Sequence, residues 1–269
     1  MKLTEETVKN KIVFLGTAGA RYAAFGLIRQ AGGMWINIDG TNFHIDPGPG
    51  AFIYTHKKGL NPHWLSAIIV SHRHLDHCAD VNHVIETITL GGKRKKGILL
   101  CPEDAISEDP VVLKFTRSNL QETVTIKEGF SRAIGNAKVS FPIKHVHGVE
   151  TYGIVIKNST ETISLGYIAD TKFFEKLIEA YSKVKVLIMN VTLKDPKPNI
   201  PHLSTIDAKR LIEGIKPDIA IMTHFGRTMV YAKPWEIARR LTDETGIETV
   251  AAWDNMIFDL ETLKPVRQR

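Results

Sequence analysis

Residues 71–77 read Ser-His-Arg-His-Leu-Asp-His. Three imidazoles and one carboxylate, those of His72, His74, Asp76 and His77, fall within six positions. That donor set suits zinc, manganese or iron better than calcium. His72 and His74, at i and i+2, can turn to one side of an extended loop. Asp76 and His77, at the first turn of a following helix, can face a second ion. With 11 histidines in 269 residues, chance rarely gathers them at this density. Further candidates stand where apolar runs end: His145 and His147 after Phe141–Ile143, Asp170 after Ile163–Ile168, and His224 after Ile219–Met222. A lone histidine after a strand is usually a surface or capping residue. Several such positions added to a four-donor cluster point instead to one mouth where strand ends converge.

Elements that would position these residues are legible around them. Ile12–Leu15, Met34–Ile38, Phe43–Ile45, Ala67–Val70 and Ile98–Leu100 read as strands, with Asp39-Gly40 as a hairpin turn. Ala67–Val70 is continuously apolar, as a strand buried on both faces should be. The spacing of Val81, Val84, Ile85 and Ile88 predicts a helix over residues 79–90, and a second helix is expected over 110–120 with Val111, Val112 and Phe115 inward. Strands follow at 139–143, 152–156, 162–168, 184–189, 219–222, 249–252 and 256–258. Helices are expected over 173–181 and 234–241. Ser204 with Asp207 forms a capping box opening a helix that buries Ile206, Leu211, Ile212 and Ile215. Only residues 195–199, Asp-Pro-Lys-Pro-Asn, interrupt the pattern, so one domain is expected over 1–269.

Composition excludes several classes. Hydrophobic residues are 43% and charged residues 24%, which rules out a disordered chain or a fibre. The two cysteines, Cys78 and Cys101, make no disulfide framework, and a reducing cytoplasm is the expected setting. No apolar run approaches the roughly 18 residues of a membrane helix. The net charge of +6 is modest but favours anionic partners. The Gly16–Gly19 turn lacks both the Lys-Ser/Thr ending and the GxGxxG spacing, so a P-loop is excluded.

The HxHxDH cluster, the later single His, Asp and His, and their order resemble the metallo-β-lactamase fold superfamily. Phe14-Leu15-Gly16-Thr17-Ala18-Gly19 and Ile45-Asp46-Pro47-Gly48-Pro49-Gly50 resemble its opening strand, glycine turn and early aspartate. Within it, the chain is most similar to the ribonuclease Z-like phosphodiesterases. His147-Gly148-Val149-Glu150-Thr151-Tyr152-Gly153 and Thr223-His224-Phe225 resemble their motifs. His202-Leu203-Ser204-Thr205 resembles their His-Ser-Thr motif with Leu203 inserted. The resemblance implies an α/β fold, a four-layer αββα sandwich.

It also implies two divalent ions, zinc first with manganese or iron as alternatives. His72, His74 and His147 would hold one, Asp76, His77 and His224 the other, with Asp170 bridging. The match selects His147 over His145, which becomes a supporting or substrate contact. Asp46 would orient the ligand loop, Asp76 and His202 would serve catalysis, and Arg227 would reach an anionic substrate. Two departures stand out. Asn190 replaces the glutamate that supports the acidic histidine, leaving Asn190 to hydrogen-bond His202 more weakly. Only residues 148–169 separate His147 from Asp170, too few for the tRNA-gripping arm of ribonuclease Z.

The expected function is hydrolysis of a nucleotide or nucleic-acid phosphodiester by a metal-bridging hydroxide, in a protein that does not enter membranes and pairs as a homodimer. The alternatives are a thioester or lactam hydrolase on the same fold, and a metal-stabilised nucleic-acid-binding protein. The latter is disfavoured because structural zinc sites are closed and usually cysteine-rich.

Overall fold

A computed structural model describes residues 3–266. The first half of the chain builds six strands of one sheet: β1 (Lys11–Gly16), β2 (Ala31–Ile38), β3 (Thr41–Ile45), β4 (Leu65–Ile69), β5 (Ile98–Cys101) and β6 (Glu122–Thr125). The second half builds another: β7 (Ser131–Ile134), β8 (Ala137–Ser140), β9 (Ile154–Asn158), β10 (Ser164–Ile168), β11 (Val186–Asn190), β12 (Ile219–Thr223) and β13 (Thr249–Ala251). The chain then returns to the first sheet with β14 (Ile257–Asp259) and β15 (Lys264–Pro265). Strand orders are 15-14-1-2-3-4-5-6 and 13-12-11-10-9-8-7.

Side-chain alternation builds three layers of core from these strands. Ile12 and Phe14 of β1 and Val186 and Ile188 of β11 face the core between the two sheets. Their neighbours Val13 and Leu15 pack outward with the helix over residues 81–89, whereas Leu187 and Met189 pack outward with helices on the opposite side. The apolar runs are continuous because both faces of each sheet are covered. The helices are α1 (Ala20–Phe25), α2 (Ala51–Lys58), α3 (Leu75–Cys78), α4 (Val81–Thr89), α5 (Lys114–Arg117), α6 (Lys176–Tyr181), α7 (Thr205–Ile215), α8 (Arg227–Tyr231) and α9 (Pro234–Thr245). Val81, Val84, Ile85 and Ile88 of α4 cover the first sheet. Leu177 of α6, Leu211 and Ile212 of α7, and Ile237 and Leu241 of α9 cover the second. The result is the expected αββα sandwich. Among the described residues, no helix is long and apolar enough to cross a membrane.

Local signals explain most boundaries. Asp39 and Gly40 both have positive φ, 46° and 84°, the pair a type I′ hairpin turn needs between β2 and β3. Ser204 and Asp207 complete the capping box of α7. Three expectations need correction. The helix foreseen over 110–120 shrinks to α5, and Phe115 is exposed. Asn82 of α4 pins the preceding loop instead, donating to Val111 O and accepting from Leu113 N and Thr116 Oγ1. Ile206 faces solvent from the first turn of α7. The strand foreseen over 139–143 stops at Ser140, two residues before Pro142, which has no N–H for the ladder.

The strands that matter most run parallel to their neighbours: β3 beside β4, and β10, β11 and β12 side by side. Their carboxyl ends therefore open on one edge within each sheet, where ligand sites of α/β sheets form. Asp46 follows β3, the histidine cluster follows β4, Asp170 follows β10, Asn190 ends β11, and His224 follows β12. Residues 148–169 hold β9, β10 and their connections, with no inserted arm.

Candidate metal centre

His72 Nε2 and His147 Nε2 each lie 3.1 Å from His74 Nδ1. Three ring nitrogens from two separate loops thus converge. Asp170 Oδ2 adds a carboxylate oxygen 3.7 Å from His72 Nε2 and 3.9 Å from His147 Nε2. A second group lies alongside. Asp76 Oδ2 is 3.8 Å from His77 Nε2 and 3.5 Å from His224 Nε2. Asp170 Oδ2 is also 3.5 Å from His77 Nε2, so one oxygen adjoins both groups.

The donors fit metal ions. Zinc–nitrogen bonds of about 2.0–2.1 Å in a tetrahedron set donors about 3.3–3.4 Å apart, close to the spacings here. Buried hydrogen bonding does not account for them. His77 Nε2 and His224 Nε2 are buried without a hydrogen-bond partner, an arrangement that costs about 1–3 kcal/mol per group unless something else satisfies it. The outer ring nitrogens, by contrast, are engaged. His77 Nδ1 meets Asp46 Oδ2 at 2.9 Å, and His147 Nδ1 donates to Pro201 O at 3.1 Å. His72 Nδ1 contacts Ser71 Oγ at 3.0 Å, and His224 Nδ1 contacts Thr192 Oγ1 at 3.1 Å. Each such contact fixes a ring so that its Nε2 lone pair can face the centre.

Asp46 organises this support. Its carboxylate accepts Ser71 N–H at 2.7 Å, Ser71 Oγ–H at 2.8 Å and Tyr167 O–H at 3.0 Å, besides the His77 contact. Asp46 and His224 both sit at positive φ, 52° and 58°. Such non-glycine positions concentrate at functional sites, where surrounding contacts hold them in place. Gly19 supplies part of that hold: its N–H donates to Phe225 O at 3.0 Å, and its bare Cα lies against His224.

The buried charges perturb one another. Burial alone would disfavour ionised Asp76 and Asp170, but adjacent histidines hold both carboxyls below the ordinary range, His77 first for Asp76 and His224 first for Asp170. Burial also opposes a charged His77, yet Asp170, Asp46 and Asp76 raise its pKa well above the usual value. A metal ion held there would have to displace a proton from His77. Burial lowers His202 to about 4.

Other candidates fall as follows. His202 Nδ1 lies 3.3 Å from Thr192 Oγ1 and 3.6 Å from Asp170 Oδ2, with the ring lining the cavity above the cluster. The expected Asn190–His202 hydrogen bond is absent. Asn190 instead donates to Asp170 Oδ1 at 2.9 Å and to Tyr167 Oη at 3.0 Å, because the amide ends β11 beneath the carboxylate. His145 is buried, with Nε2 3.2 Å from Tyr181 Oη. Arg227 lines the cavity, as do Lys197 and Tyr22. Thr192 and Ser71, which steady the rings, gave no distinctive sequence signal beyond their places beside motif residues. Cys78 packs under the cluster with its thiol pushed up to about 12 by burial, which disfavours the reactive thiolate.

Residues 41–225, more than half of the chain, match the family model described as Beta-lactamase superfamily domain. The uncharacterized protein MJ1374 of Methanocaldococcus jannaschii is 32% identical over 248 residues, covering 90% of this chain and 92% of that protein. The metallo-beta-lactamase fold protein YhfI from Bacillus subtilis is similar in structure with a TM-score of 0.77 at 17% identity, over 92% of this chain and 98% of its own. Human tRNase Z, short form, gives a TM-score of 0.65 at 15% identity, over 93% and 99%. At those identities the two structures bear on the fold alone. The family match spans every strand end that delivers a donor, from β3 to the turn after β12, and the chain belongs to the beta-lactamase superfamily.

Proposed function

We propose that the chain is a dinuclear metal-dependent phosphodiesterase of the ribonuclease Z-like type, acting as one domain on a nucleotide or nucleic-acid diester. The observation that carries this reading is the shared position of Asp170 Oδ2 between two groups of inward-facing donors. His72, His74 and His147 would hold one ion, Asp76, His77 and His224 the other, and Asp170 would join both. When bound, two divalent ions supply Lewis acidity and an acidified water. Zinc suits this imidazole-rich set, with manganese and iron as the competing ions.

The chain's own residues supply the rest. Hydrolysis adds water across one phosphorus–oxygen ester bond, and the departing alcohol keeps a proton. His202, lining the cavity beside Asp170, is placed to offer an N–H to that departing oxygen. Arg227 and Lys197 line the same cavity, and neither has a carboxylate partner among the described residues. Both can attract a polyanion, Arg227 with its guanidinium 5.8 Å from the centre of the Tyr231 ring. The short connection between His147 and Asp170 favours substrates smaller than a gripped tRNA.

Hydrolysis of bis(p-nitrophenyl) phosphate by protein reloaded with zinc or manganese tests the reading. Metal-dependent turnover should disappear in His74→Ala while the fold persists by circular dichroism. Turnover of a thioester panel with no diester hydrolysis would replace this reading by acyl transfer.

A further inference from the structure

The residues His74 and Asp76 line two cavities, one on either side of them. Each cavity is about 410 Å³, within the roughly 300–1,000 Å³ of small-ligand sites. Tyr22, Ile200, His202 and Arg227 line the first. Phe25, Leu75, Val111 and Val149 line the second, where the cation Arg73 is neutralised by Asp109, 3.1 Å away. The donor cluster therefore stands between two chambers, the first with Lys197 and Arg227 in its wall and the second with four apolar side chains beside the Arg73–Asp109 pair.

Helix α1 serves both. Tyr22 and Phe25 are three positions apart and share a helix face, yet one lines the first cavity and the other the second. The two residues are 79% and 68% exposed, while Ala23 and Ala24 between them are buried beneath. The helix is held by its small residues and displays its large ones. Exposed aromatic rings beside a phosphate-type site make stacking platforms for bases. The link from Gly19 to Phe225 fixes the start of this helix against the His224 loop.

We propose that α1 is a substrate-binding ridge, and that the substrate is a diester with a flat ring-bearing group on each side of phosphorus. The inference rests on the phosphodiesterase reading above. The cavity containing His202 takes the departing group against Tyr22. The second cavity takes the retained group, a nucleoside-like ring, against Phe25. A phosphomonoester would leave one cavity empty.

Kinetics of the metal-loaded full chain on two esters separate the arms. Thymidine 5′-(p-nitrophenyl phosphate) and methyl p-nitrophenyl phosphate share the departing group and differ only in the retained one. The wild type should prefer the thymidyl ester in kcat/KM by about tenfold or more, the range of one stacked base. Phe25→Ala should lower that preference about tenfold, and Phe25→Tyr should restore it. Tyr22→Ala should raise KM for both esters alike and leave the preference in place. Turnover of both esters with no change in either alanine variant overturns the ridge and spares the phosphodiesterase. Loss of the preference in Tyr22→Ala rather than Phe25→Ala overturns the assignment of arms. If the kinetic losses track a dimer falling to monomer in sedimentation, α1 is an interface and the ridge is likewise overturned. Absence of turnover on either ester, with zinc or manganese, sinks the phosphodiesterase reading and this inference with it.

Discussion

Asp46 and His77, 31 positions apart in the chain, meet at 2.9 Å between Oδ2 and Nδ1. The contact joins the end of β3 to α3 and fixes the histidine that adjoins both Asp76 and Asp170. Because the same carboxylate also holds Ser71 and Tyr167, one aspartate couples the ligand loop of the first sheet to the second sheet.

Asp46→Asn should therefore weaken metal binding without unfolding the chain. An amide can turn its N–H against His77 Nδ1, which favours a proton on the inward Nε2. Removal of such a support typically lowers metal affinity about 10–100-fold. Chelator competition would measure it. Wild-type affinity in the variant would deny Asp46 its orienting role.

Gly19→Ala tests the second donor group. A Cβ at Gly19 would sit 2.1 Å from His224 O and 2.4 Å from His224 Nδ1. Backbone stands in the way, so the His224 loop must move, at about 1–3 kcal/mol of stability. Metal content by elemental analysis should fall from the two ions per chain proposed above toward one. Retention of two would mean the loop yields without releasing its ligand.

His202→Ala should lower kcat more than it raises KM, because the ring touches Thr192 and Asp170 beside the donors rather than anchoring the remote parts of a substrate. A tenfold or greater fall in kcat is expected for losing a positioned donor. An unchanged kcat would remove His202 from the reaction.

Much of the sandwich was legible because its strands are short β-branched runs buried on both faces, and periodicity reports burial directly. The residues of the candidate site were legible where donors are dense, as in residues 71–77, or where a donor ends an apolar run, as with Asp170 and His224. What escaped was tertiary. Nothing near Asn190 indicates that its amide turns toward Asp170 rather than His202, since the choice depends on where β11 ends relative to β10. The exposure of Phe115 follows from Asn82, more than thirty residues earlier, gripping the α5 loop. The aromatics of α1 were passed over because a six-residue helix carries too little pattern to detect.

His44 offers a test of stability away from the donors. It is fully buried in β3, with Nε2–H donating to Gly32 O at 3.0 Å and Nδ1 unpartnered. Burial lowers its pKa from 6.5 to about 4. In the unfolded chain it takes up a proton at higher pH than in the folded one. Its contribution is thus fully present above pH 6.5 and is lost as pH falls toward 4. Between pH 7 and pH 5 this linkage amounts to about 2 kcal/mol, or roughly 4–8 °C in Tm. Thermal melts of wild type and His44→Gln at several pH values would isolate it, since the other titrating groups are common to both. The variant should be less stable at pH 7 but lose less on acidification. Parallel Tm curves for the two proteins would show that His44 does not titrate in this window.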